Sequence, residues 1–179
     1  MLPSLAPFSI AQECHKLPFM TISLETMLRH MGWANQQIFS QISDLPDEAL
    51  GSYITNKEWH VAEILSHITR SADWYVYRIS GRQVTETTMP TTMKDIKDLA
   101  KKLEKFDSEL LELAKQSDRV IEVSRDGVIT HWQAATILSQ AVHHAIEHRC
   151  QAVTALEFKG YKAPDLDDYD VWGYELSTK

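Results

Sequence analysis

The sequence predicts an all-α protein: a mostly antiparallel four-helix bundle with a small hairpin ahead of the fourth helix. Three observations predict it. Four long segments repeat apolar residues at helical spacing. Turn and loop signals separate them. The clearest strand signal is Asp126-Gly127, set between two short β-branched runs. Four amphipathic stripes can close one core, and 179 residues suit a single domain spanning 1–179.

Residues 1–18 read as an irregular arm. The first helix runs from Ser23 to about Ile42, with Ser23 as its cap. Its stripe is Leu24, Met27, Leu28, Met31, Ala34, Ile38, Phe39 and Ile42. Gly32 weakens it locally but admits a close neighbour. Pro46 and Gly51 punctuate a connection over 43–52 with room for one short turn. The second helix is expected from about Lys57 to Ile79, with Gly81 as its C-terminal cap. A threonine-rich stretch over 83–92, broken by Pro90, reads as loop. The third helix covers 94–116 on a stripe from Ile96 to Leu113, with lysines and glutamates on its solvated face. After the hairpin at 119–130, the fourth helix runs from about Gln133 to Phe158, close to Gly160. Residues 161–179, acidic and aromatic, read as a tail that wraps the body or joins a dimer contact. The loops are long enough to act as crossovers, so the topology stays open.

Net charge is −7, which argues against nucleic acid as a partner. No apolar run approaches the roughly 18 residues of a membrane span. The first residues lack the basic start of a secretory signal, and a cytoplasmic location is expected. Cys14 and Cys150 form no disulfide framework, and Cys150 is turned away from the ligand face described next.

The chemistry centres on Gln140-Ala-Val-His143-His144-Ala-Ile-Glu147-His148-Arg149. His144 and His148 stand four residues apart, so one helix face presents both imidazoles. His67 lies inside the apolar second helix. Three neutral imidazoles from two helices would form a catalytic-type metal site with a position left open. Hydrogen-bonding core histidines are the plainer alternative. His143 points about 100° away and is left outside the set. His60 and His131 are assigned ordinary exposed positions or the entrance. There is no cluster of cysteines for structural zinc and no His-Glu-x-x-His. Arg149 is a candidate to bind an anionic substrate or a thiol cofactor's carboxylate, against a surface ion pair. Gln151 is a weaker rim candidate, and Glu147 a rim or solvated residue. Trp59, Trp74 and Tyr75 would line an aromatic pocket or simply pack.

Three stretches in order carry a family resemblance: His30-Met-Gly-Trp-Ala-Asn-Gln36, Val61-Ala-Glu-Ile-Leu-Ser-His-Ile68 and His144-Ala-Ile-Glu-His-Arg-Cys-Gln151. Over about residues 20–160 the chain resembles the DinB-like, or YfiT-like, metal-binding four-helix bundles. The resemblance implies a metal triad of His67, His144 and His148, with Asn35 in a supporting hydrogen bond or a helix–helix contact. It also implies homodimers, and metal-dependent thiol transfer or thiol-dependent isomerisation in some relatives. Cys150 stands where the family has glycine.

The expected function is a metal-dependent enzyme, a low-molecular-weight-thiol S-transferase acting on small electrophiles. A metal-dependent hydrolase and a non-enzymatic metal-binding stress or interaction protein are the alternatives. The expected cofactors are one divalent ion, zinc or nickel, and a low-molecular-weight thiol. The expected partners are a small-molecule substrate and a second copy of the chain.

Overall fold

The computed structural model describes residues 22–179, and the arm expected over 1–18 lies outside them. Helix α1 is Leu24–Ile42, α2 Val61–Ser80, α3 Met93–Ala114, α4 Ala134–Phe158 and α5 Val171–Ser177; strands β1, Val120–Arg125, and β2, Val128–Gln133, form the hairpin. The architecture is an all-α bundle of α1 to α4 with one two-stranded sheet.

Local chemistry sets most of these boundaries. The Ser23 hydroxyl accepts from the Thr26 amide and caps α1. Thr92 and Asp95 form a reciprocal capping box that starts α3. Gly81 ends α2 at φ 76°, where a Cβ would be strained. One boundary differs from expectation. Lys57 does not begin α2, because the Asn56 side chain accepts from the Glu58 amide and holds a turn. His60 then stays extended, and its Nδ1 caps the helix by accepting from Glu63 N. Asp126 and Gly127 both have positive φ, 51° and 78°, the backbone a two-residue hairpin turn of this twist requires. The hairpin extends to Gln133, which pairs with Val120, so α4 starts one residue later than expected.

Asn35 and Gln36 on α1 meet Asp107 and Ala100 on α3, so these helices run antiparallel. Helices α2 and α4 are antiparallel as well, with His67 against His144 and Trp59 against Gln151. By contrast, α2 and α3 run in the same direction. A 3-10 turn at Asp47–Gly51 and its following residue hold the start of each: Asp47 accepts from Met93 N, and the Ser52 carbonyl accepts from Val61 N. Just past the end of α2, Arg82 pairs with Glu109 near the end of α3. The extended connection after Gly81 is therefore a crossover, one of the options its length allowed. It is held on the way by Thr85 N on Asp73 and by Lys102 on the Glu86 carbonyl.

The core is a continuous apolar cluster fed by all four long helices and by Ile121 and Val123 of β1. Fully buried Phe39, Ile64, Leu103, Phe106 and Leu156 are among its largest members. The C-terminal tail wraps the body. His30 Nε2 meets the Tyr169 carbonyl at 2.9 Å, and Tyr169 and Tyr174 pack on Trp33. Among the described residues no helix is long and apolar enough to cross a membrane.

Candidate metal centre

Antiparallel packing of α2 on α4 brings His67 to the pair His144 and His148. His67 Nε2 lies 3.0 Å from His144 Nε2, and His148 Nε2 lies 3.0 Å from that same atom. One ligand atom from each of the three lies within 4.8 Å of the other two, an arrangement that could hold a metal ion. Two imidazole nitrogens bound to one ion at about 2.0–2.1 Å stand about 3 Å apart, so the His67–His144 and His144–His148 spacings fit the group.

Burial keeps the His144 and His67 rings neutral. It pushes His144 down to about 4, reinforced by His148 and His67. His67 is also lowered, first by burial and then by His148 and Arg70. Neutral imidazoles have lone pairs to offer. Each ring nitrogen carries one proton or one lone pair in the ring plane. A single proton on His144 Nε2 would at best be shared between two neighbouring lone pairs. A cation at the point of convergence satisfies all three nitrogens.

A hydrogen-bond relay fixes one tautomer. The indole N–H of Trp59 donates to Gln151 Oε1 at 2.9 Å. Indole nitrogen only donates, so the amide oxygen must face it. The same oxygen stands 2.8 Å from His148 Nδ1, which must therefore carry the proton. That leaves the lone pair of His148 on Nε2, aimed at the cluster. Trp59 also sets its ring edge-on against His67 and His148, with centroids 5.2 and 5.5 Å apart. On the far side Tyr75 packs against His144 at 5.8 Å.

The other candidates fall elsewhere. Arg149, the candidate to bind an anionic substrate or a thiol cofactor's carboxylate with a surface ion pair as the alternative, is only 5% exposed and turned into the bundle, which corrects the surface ion pair. Its Nη1 donates to Asn35 Oδ1 at 2.7 Å and reaches the Met31 carbonyl at 3.3 Å. Asn35 in turn donates to Asp107 Oδ2 at 2.9 Å. Asn35 thus makes the helix–helix contact. Burial pushes the Asp107 carboxyl up to about 7 against the pull of Asn35 and Arg149. Burial also lowers Arg149, to about 10, so it stays charged at neutral pH. Glu147, His143 and Cys150 are exposed. His60 is the α2 cap, His131 lies 3.7 Å from Glu122 across the hairpin, and Trp74 packs under Arg78.

Sequence reasoning missed two things. Gln151 was placed at the rim, yet its i+3 position from His148 is the spacing that lets the two side chains meet. Asp107 was passed over, although an acid four residues after Leu103 and three before Leu110 sits on the core stripe of α3.

The family model described as the DinB family matches residues 20–174. The chain is 24% identical over 158 residues to Protein DinB of Bacillus subtilis (strain 168), covering 82% of this chain and 91% of that one. Its fold is similar to the crystal structure of a DinB-like protein from Bacillus cereus ATCC 10987, with a TM-score of 0.62 and 20% identity. That match covers 79% of this chain and 94% of the other.

Proposed function

The chain belongs to the DinB family, and on that footing we propose that it is a metal-dependent transferase joining a low-molecular-weight thiol to a small electrophile. The observation that carries the reading is the convergence of three imidazoles, His144 and His67 held neutral by burial, without a fourth histidine, cysteine or carboxylate in the cluster among the described residues. Three nitrogen ligands and an open position suit one divalent ion, zinc or nickel. When bound, that ion would supply positive charge that stabilises a thiolate at neutral pH.

The chain's own residues supply position and exclusion. Gln151 holds His148 with its lone pair inward. Trp59 and Tyr75 flank the triad with edge-to-face ring contacts, Trp59 on His67 and His148 and Tyr75 on His144. In the transfer, the thiol proton passes to solvent and the sulfur pair forms a bond to the electrophilic carbon. The bond from that carbon to its leaving group breaks, and the group departs with its electron pair. A thiol with pKa near 8.5 needs little help to ionise. Water needs far more, and among the described residues no carboxylate stands in the cluster as a base. This favours thiol transfer over hydrolysis. The exposed free thiol of Cys150 suits a reducing interior, and a cytoplasmic setting belongs to the proposal.

The test is thiol consumption by the metal-loaded chain, with a panel of thiols and 1-chloro-2,4-dinitrobenzene. Turnover that stops on chelation and returns with metal supports the transferase. Metal retention with no turnover across the panel favours a metal-binding protein that is not an enzyme.

A further inference from the structure

A cleft of about 250 Å³ opens beside the triad, between α2, α4 and the hairpin. Its walls are Trp74, Tyr75, Val123, Trp132 and Ile137, with Thr136 and Gln140 as its polar groups. Val123, Ile137 and Tyr75 are buried, whereas Trp132 is 49% exposed and Trp74 38%. The indoles have anchors: Trp132 Nε1 donates to Thr130 Oγ1 at 2.9 Å, and Arg78 lies 4.6 Å from the Trp74 ring. Among the described side chains that line the cleft, none is charged.

The cleft and the candidate metal centre share a wall. Tyr75 lines the cleft and packs on His144. Gln140 lies one helical turn before His144 on the same helix and lines the cleft beside Tyr75. The Tyr75 ring is thus all that stands between a molecule seated against the cleft wall and His144. The volume is below the roughly 300–1,000 Å³ of pockets for drug-sized ligands, which limits the occupant to a small molecule. Two indoles and a phenol favour a flat, uncharged ring.

We propose that the Trp74–Trp132 cleft binds the planar apolar part of the electrophilic substrate and so selects aromatic over purely aliphatic electrophiles. This rests on the transfer chemistry proposed above and adds the substrate class. A second copy of the chain covering the same indoles is the competing occupant.

The experiment titrates the full chain, stripped of metal, with unreactive 1,3-dinitrobenzene and follows the indole N–H signals by NMR. Signals of Trp74 and Trp132 should move, while those of Trp33 and Trp172 stay. Trp132→Ala should weaken binding about tenfold. Thr136→Trp, which fills the cleft from an exposed position, should abolish it with helicity intact. Both variants should take up metal like the parent. Unmoved Trp74 and Trp132 signals, or equal binding by both variants, would overturn the proposal. So would a dimer that Trp132→Ala splits without any change in probe binding. A parent that binds the probe in the cleft yet takes up no metal supports the binding site and overturns only the transfer reading.

Discussion

The Nδ1 of His148 donates to Gln151 Oε1 at 2.8 Å, and Trp59 donates to the same oxygen from the other side. The indole dictates which end of the amide faces the histidine, and the amide dictates which imidazole nitrogen stays free. The metal reading of the triad thus depends on a residue that is not a ligand.

Gln151→Ala should lower metal affinity about 10–100-fold, the usual effect of losing a partner that orients a ligand. Competition against a chromophoric chelator measures it, with circular dichroism checking the fold. Unchanged affinity would mean that packing alone orients His148.

Arg149→Ala should destabilise the fold by about 1–3 kcal/mol, because it leaves the buried Asn35 Oδ1 without its donor. Urea unfolding reads this directly. A guanidinium serving a ligand at the rim would instead leave stability unchanged and weaken thiol binding.

The Asp107 carboxyl is raised by burial from 3.8 to about 7. Folding therefore favours its protonated form. The stability it contributes is complete below about pH 4 and is lost as pH rises through about 7. Asp107→Asn should remove that slope in urea melts at about pH 4.5 and 7.5. A parent that gains stability over this range relative to the variant would show that Arg149 holds the carboxylate ionised.

We expect a homodimer. Helix α5 leaves Val171, Trp172 and Leu176 44%, 78% and 71% exposed, apolar surface that a second copy would cover. Other aromatics, Trp33, Tyr169 and Tyr174, anchor the tail within one chain instead. Light scattering should report twice the chain mass, and Trp172→Ser with Leu176→Ser should halve it. A parent that stays monomeric at high concentration rejects this.

What was legible in the sequence follows from locality. Ser23, Gly81 and Asp126-Gly127 act within a few residues, and each is found in the structure as cap or turn. The spacing of His144 and His148 is equally local, and His67 was found because it interrupts an apolar helix. Direction was not local. Nothing in residues 81–91 declares that they carry the chain back so that α3 runs alongside α2; contacts such as Met93 with Asp47, 46 residues apart, decide it. Arg149 misled for a related reason. Arginine is rarely buried unpaired, and its partner Asn35, with Asp107 behind it, comes from other helices.

If His67, His144 and His148 hold one divalent ion, metal content per chain after chelation and reloading with zinc or nickel, for the parent and three histidine-to-alanine variants, decides it. One ion per parent chain is expected, with sharp loss of affinity in every variant and helicity retained. A parent that holds no stoichiometric ion, or holds one equally well in all three variants, would contradict it.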